Sequence, residues 1–250
     1  MKRSSRQKVT QELQAIDRSS NPKAKAFKGV TPKTENQKFF VESLKEDNIC
    51  VCAGYAGTGK TLLACSHAAE MLYTGKIKKI VLIRAYQPLA GRSIGLLPGE
   101  IMDKLKPYYQ QMLDYLEDFL GKPQMEIHLK RGSIEICSLE TIRGRSWDDA
   151  CVVLDEGQNL FIEEIQALTT RVGTNSQLIL LGDDSGLQSD ITDKQNGLAY
   201  LLGLVEKYDI PGVGVTYLDI EDILRSEVTK SFVIAFDKEL QEAKRKNKRG

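Results

Sequence analysis

Residues 54–61 read Gly54-Tyr55-Ala56-Gly57-Thr58-Gly59-Lys60-Thr61, a complete G-x-x-x-x-G-K-[ST] pattern. The run before it, Ile49-Cys50-Val51-Cys52-Ala53, is short, apolar and β-prone. The run after it, Leu62 to Leu72, is rich in Ala and Leu at helical spacing. A glycine loop between a strand and a helix is the setting that separates a phosphate cradle from a ligand-free glycine turn. The glycines let successive backbone N–H groups turn toward phosphate oxygens, and the helix N-terminus adds partial positive charge. Lys60 is placed to reach the β- and γ-phosphates of a nucleotide, and the Thr61 hydroxyl to ligate Mg²⁺. The expected nucleotide contacts are Gly54, Tyr55, Ala56, Gly57, Thr58, Gly59, Lys60, Thr61 and Leu62.

Outward from this loop, apolar runs alternate with helical patterns. Gln37–Lys45 reads as a short amphipathic helix, and Lys79–Arg84 as a near-continuous apolar strand of the kind found in parallel sheets covered on both faces. Residues 85–99 form a Gly- and Pro-rich loop, and Ile101–Leu120 reads as a helix broken near Pro107. Met125–Leu129 and Ser133–Leu139 flank Lys130-Arg131-Gly132, which predicts a small hairpin. Strands follow at Cys151–Leu154, Gln177–Leu181 and Gly214–Leu218, with helices at Ile162–Val172 and Leu198–Lys207 and a last helix from about Glu227 to Lys244. This order predicts an α/β fold: one P-loop domain with a doubly wound, mostly parallel sheet, helices on both faces, and ligand beyond the carboxyl ends of the strands. The domain is expected at 36–236, preceded by a basic arm over 1–35 with a short helix at Val9–Ile16, and followed over 237–250 by the end of the last helix and a basic tail.

Charge is segregated along the 250 residues. Residues 1–34 hold nine Lys/Arg against two acids and residues 244–250 hold five Lys/Arg, so a net charge of +1 leaves the body between them at −11. Such arms suit nucleic-acid phosphates, and equally serve as solvated tails. No apolar run approaches the length of a membrane helix, and the basic N-terminus lacks the apolar core of an export signal. The five cysteines form no C-x-x-C pair and read as small buried hydrophobes in a reducing compartment, so a cytoplasmic protein is expected.

Hydrolysis needs more than a phosphate loop. Cys151-Val152-Val153-Leu154-Asp155-Glu156 is an apolar strand ending in two acids. Asp155 is expected to hold Mg²⁺ through water, and Glu156 to polarise the attacking water as general base. The second acid tilts the reading from kinase to hydrolase. At the end of Leu178-Ile179-Leu180-Leu181-Gly182, Asp183 with Gln188 is positioned either to sense the γ-phosphate or orient water, or simply to leave the strand. Gln37 carries an amide able to read an adenine edge, although a surface glutamine is the default. Gly91-Arg92-Ser93-Ile94-Gly95 matches G-x-S-x-G but lies outside a strand–helix junction, and a serine-hydrolase reading fails there. His67 reads as a packed helical histidine.

These stretches, in this order, resemble the PhoH-like family of P-loop ATPases, related to the first RecA-like domain of superfamily 1 helicases. The resemblance spans about residues 31–236. It rests on Thr31-Pro32 with Asn36-Gln37, the phosphate loop, Ile83-Arg84, Gly95-Leu96-Leu97-Pro98-Gly99, Ile142-Arg143-Gly144-Arg145, Leu154 to Asn159, Thr170-Arg171-Val172-Gly173, Gly182-Asp183 and Asp222-Ile223-Leu224-Arg225. It implies ATP and Mg²⁺ as ligands, with RNA or single-stranded DNA as effector, and a single RecA-like domain. It makes Gln37 an adenine reader and Gln158 a coupling residue beside the γ-phosphate. Two departures stand out: Gly157 replaces the usual Ala, and Gln188 lies further past Asp183 than the family's glutamine.

A superfamily 1 helicase draws arginines from a second RecA-like domain, and this chain has length for one. An arginine supplied by a neighbouring copy in a ring or filament, a hexamer among the ring sizes considered, would fill the gap. Arg143, Arg145, Arg171 and Arg225 are the candidates, each with a nucleic-acid contact or a surface ion pair as the alternative. Two function classes follow: a nucleic-acid-stimulated, helicase-like ATPase, or a nucleotide-switched binding or scaffold protein with slow hydrolysis.

Overall fold

The computed structural model describes residues 27–85, 101–142, 144–186 and 195–247. The expected helix at Val9–Ile16, most of the 85–99 loop with its G-x-S-x-G match, Arg143 and Gln188 lie outside these residues.

Six strands form one wholly parallel sheet: β1 (Ile49–Gly54), β2 (Lys79–Arg84), β3 (Ile134–Cys137), β4 (Ala150–Asp155), β5 (Gln177–Gly182) and β6 (Val213–Leu218), in the order β3-β2-β4-β5-β1-β6. The helices are α1 (Glu35–Glu46), α2 (Lys60–Tyr73), α3 (Ile101–Leu120), α4 (Lys122–Arg131), α5 (Ile162–Thr169), α6 (Gly197–Tyr208) and α7 (Glu227–Asn247). Alternate residues of the central strands enter two separate cores. Cys50, Cys52, Ile80, Leu82, Cys151, Val153, Ile179 and Leu181 pack beneath α1–α4. Val51, Val81, Ile83, Val152, Leu154, Leu178 and Leu180 pack beneath α5 and α6. The near-continuous apolar runs are explained by this: neither face of the central strands meets water. The doubly wound α/β reading is therefore what the chain adopts.

Two expectations are corrected. The predicted hairpin does not form. Met125–Leu129 belongs to α4, and Gly132, at φ 70°, closes that helix with its N–H on the carbonyls of His128 and Leu129. Left-handed glycine serves helix C-caps as well as hairpin turns, so the residue alone does not choose. β3 instead joins the free edge of β2 in parallel register, Ile80 opposite Ile134, and α3 with α4 is the crossover such a pairing requires. The second correction is Pro107, which lies inside an unbroken α3. An interior proline costs about 3 kcal/mol. Beyond it α3 buries Tyr109, Met112, Leu113 and Leu116, each contributing roughly 1.5–3 kcal/mol, so burial outweighs the defect.

All five cysteines are free and buried. Burial raises the Cys50 thiol to about 12. No helix among the described residues is long and apolar enough to cross a membrane.

Candidate nucleotide site

Parallel pairing brings every strand's carboxyl end to one edge of the sheet, and the register aligns their last residues. Arg84 lies opposite Asp155, Ala53 opposite Gly182, and Gly54 opposite Leu218. A cleft of about 680 Å³ opens at this edge, within the range of ligand sites.

The phosphate loop leaves β1 through Gly54, at φ 147°, where an added Cβ would lie 1.9 Å from the Leu218 carbonyl oxygen. No side chain fits there. Gly59 sits in the left-handed region as N-cap of α2 and offers no side chain to cap it, so the first-turn N–H groups of α2 are left to an anion. The Thr58 hydroxyl braces the loop by donating to the Tyr55 carbonyl at 2.8 Å. Lys60 Nζ donates to the carbonyls of Gly54 at 2.6 Å and Tyr55 at 2.7 Å, leaving a third donor for a phosphate.

The Thr61 hydroxyl lies 3.4 Å from Asp155 Oδ1. This hydroxyl–carboxylate pair fits Mg²⁺, which takes few protein ligands and completes its shell with phosphates and water. Burial, and next the charge of Glu156, push the Asp155 carboxyl above its usual range. A divalent cation would reverse both effects.

Glu156 follows in a left-handed conformation, φ 60° and ψ 38°, which is uncommon for a side-chain-bearing residue. The twist turns its carboxylate into the cleft. Oε1 accepts from Arg84 Nη2 at 2.8 Å, and Oε2 accepts from Gln158 Nε2 at 2.6 Å. Gln158, 1% exposed, accepts in turn from the Asp183 backbone N–H at 2.9 Å. Asp183 is buried and accepts from the backbone N–H and hydroxyl of Ser185. Residues at the ends of β2, β4 and β5 thus form one network across the sheet.

Gln37 is buried beneath the loop. Its Nε2 donates to the Thr58 carbonyl at 2.9 Å and its Oε1 accepts from the Lys33 N–H at 2.7 Å. It also lines the cleft. The Asp222–Arg225 stretch arrives from the far end of the chain: Leu224 N–H donates to the Gly57 carbonyl at 3.1 Å, and Asn36 donates to Asp222 at 2.8 Å. Arg225 lies over Gly57 and lines the cleft, so it reaches its own chain's loop.

Other expected residues fall elsewhere. Ala56, Gly57, Gly59, Lys60, Thr61 and Leu62 line the cleft, whereas Gly54, Tyr55 and Thr58 build the loop behind it. The Tyr55 hydroxyl is bonded to Asp237 on α7, and burial with that bond raises it to about 12. Arg171 directs its guanidinium to the carbonyls of Ile142 at 3.0 Å and Ala167 at 2.9 Å. Arg145 pairs with Glu135. Neither lines the cleft. The sequence reading gave no role to Arg84, which stood only as the end of an apolar strand and, with Ile83, among the stretches that carry the family resemblance. Nor did it single out Asp184, a second acid past β5, whose carboxyl burial pushes upward.

The PhoH-like protein family matches residues 29–237. A PhoH-like protein of Bacillus subtilis is 38% identical over 213 residues, covering 85% of this chain and 65% of its own length. Protein PhoH2 of the same organism is 40% identical over 194 residues, covering 74% of this chain and 43% of its own length. The chain thus spans only part of these relatives. Among solved structures, the large terminase of a thermophilic bacteriophage in complex with ADP is similar over 81% of this chain and 49% of its own, at 13% identity and a TM-score of 0.45. With a family match over most of its residues and relatives of this identity, the chain belongs to the PhoH-like protein family.

Proposed function

We propose that this chain binds Mg·ATP and hydrolyses it to ADP and phosphate. The observation that carries the reading is the meeting of the Thr61 hydroxyl with Asp155, 94 residues apart, beside Lys60 and Glu156 in one cleft. Loop N–H groups and Lys60 would hold the phosphates, and Thr61 and Asp155 would hold the ion. When bound, Mg²⁺ neutralises charge on the phosphate oxygens. Glu156 takes a proton from water as the water oxygen bonds to the γ-phosphorus and the bond from that phosphorus to the ADP oxygen breaks. Gln158 and Asp183 orient that centre, and Arg225 offsets developing charge in cis. Calorimetry with Mg·ATP tests the reading: Lys60→Ala should abolish binding, and Glu156→Gln should retain binding without turnover. A folded chain with no affinity for Mg·ATP overturns it.

We extend the proposal to a cytoplasmic, nucleic-acid-stimulated, helicase-like ATPase acting as a homo-oligomer. The basic N-terminal segment and Lys244-Arg245-Lys246 support contact with RNA or single-stranded DNA. Val228, Phe232 and Phe236 form an exposed apolar stripe on α7, which supports assembly. ATPase rate against protein concentration, with and without single-stranded RNA, tests both. A rate per subunit independent of concentration and of RNA, with ATP binding intact, favours the nucleotide-switched scaffold. That second reading draws support from the engagement of both Glu156 oxygens, which favours slow turnover.

A further inference from the structure

Both oxygens of the Glu156 carboxylate are held by donors: a guanidinium at 2.8 Å on one and an amide at 2.6 Å on the other. Two of its roughly four acceptor sites are taken and both oxygens are fixed in direction, so the lone pairs that remain are not free to follow the attacking water. The two donors differ in how firmly they are set. Gln158 is buried and pinned by the Asp183 N–H. The Arg84 side chain remains 21% exposed at the cleft margin. Its backbone is fixed, since its N–H donates to the Tyr109 hydroxyl at 3.2 Å and that hydroxyl donates to the Cys137 carbonyl at 3.1 Å. Its guanidinium spans two anchors, with Nη1 on the Tyr108 carbonyl at 2.9 Å and Nη2 on Glu156. The contact to Asp155 is looser, at 3.8 Å.

We infer that Arg84 is a positioning residue for hydrolysis that acts through Glu156, holding its carboxylate off the attacking water until the ion pair opens. The inference rests on the reading of Glu156 as general base. It ties the rate of turnover to the seat of α3, because the same guanidinium rests on a carbonyl of that helix. The β2–β4 register favours the pairing: Arg84 lies opposite Asp155, and Glu156 follows in a left-handed conformation with its carboxylate on the Arg84 guanidinium.

The test is steady-state ATPase kinetics of the full chain. Arg84→Gln should raise kcat about three- to tenfold, a part of the roughly 10²–10⁴ that a positioned base contributes. KM and calorimetric Mg·ATP affinity should stay within about twofold of wild type by the same reasoning, since a base acts on the proton and not on binding. Arg84→Lys keeps a charge but cannot meet both anchors at once, and should fall between wild type and Arg84→Gln; it carries the test if the glutamine variant does not fold. The double variant with Glu156→Gln should be as inactive as Glu156→Gln alone. An unchanged or lowered kcat overturns the inference, a raised KM makes Arg84 a nucleotide contact and also overturns it, and a kcat gain that survives in the double variant places the action of Arg84 elsewhere. If Glu156→Gln by itself retains turnover, the general-base reading has failed, a result separate from any outcome at Arg84.

Discussion

Replacing Gln37 tests whether its amide braces the phosphate loop. Gln37 is 2% exposed, and its amide joins two backbone groups, the Lys33 N–H and the Thr58 carbonyl. Thr58 is itself fully buried. Gln37→Ala removes both hydrogen bonds and leaves the Thr58 oxygen without its side-chain donor. A buried acceptor stripped of its donor costs roughly 1–3 kcal/mol, and the N–H of the exposed Lys33 less. We expect a loss of about 2 kcal/mol, which for a chain of this size lowers Tm by roughly 4–8 °C. Gln37→Glu should be at least as costly: Oε1 still accepts from Lys33, but a carboxylate oxygen then faces the Thr58 carbonyl, acceptor against acceptor. Both variants should weaken Mg·ATP and Mg·GTP together, because the loop itself loosens. The assay is thermal unfolding with and without each nucleotide. Selective loss of ATP binding at unchanged Tm would make Gln37 an adenine reader only and refute the brace.

Three further outcomes are expected. Gly54→Ala places a Cβ 1.9 Å from the Leu218 carbonyl, whereas Gly75 meets nothing within 4 Å; both sit at positive φ, so chemical denaturation should find Gly54→Ala the more destabilising, by more than about 2 kcal/mol. Thr61→Ala should remove the Mg²⁺-dependent part of ATP affinity and leave binding in EDTA unchanged, as read by calorimetry with and without the ion. Burial holds the His67 imidazole below its usual range, only partly offset by its bond to Gln177. The unfolded state then binds the proton more readily, so this contribution is complete above about pH 6.5 and is lost as pH falls through the depressed folded value. Urea unfolding should show wild type losing more stability than His67→Gln between about pH 7.5 and 5.5; equal slopes would contradict the burial argument.

Local patterns were enough for part of this protein. The phosphate loop is contiguous, with its own strand and helix, so geometry and sequence coincide. Asp155-Glu156 was legible for the same reason: an apolar strand announces its end, and the acids sit there. Strand–helix alternation carried the doubly wound sheet. Gly132 misled because hairpin turns and helix C-caps both ask for left-handed glycine, and the free edge of β2 made the choice. The continuity of α3 past Pro107 was decided by burial, a quantity no propensity contains.

Pairings between distant segments belonged to the tertiary structure. Arg84 and Glu156 are 72 residues apart, and only the β2–β4 register sets one beside the other. Arg171 and Arg225 are equivalent as letters, yet one is held on carbonyls beside α5 while the other lies over Gly57. An amide such as Gln37 acquires its task from whichever backbone groups the fold leaves at its tip. Sequence by itself determined the glycine loop, the helices and strands around it and the acids at a strand's end, because those depend on neighbours a few residues away. Which charges meet in the cleft depends on strand order and register, and these are set by the packing of the whole sheet.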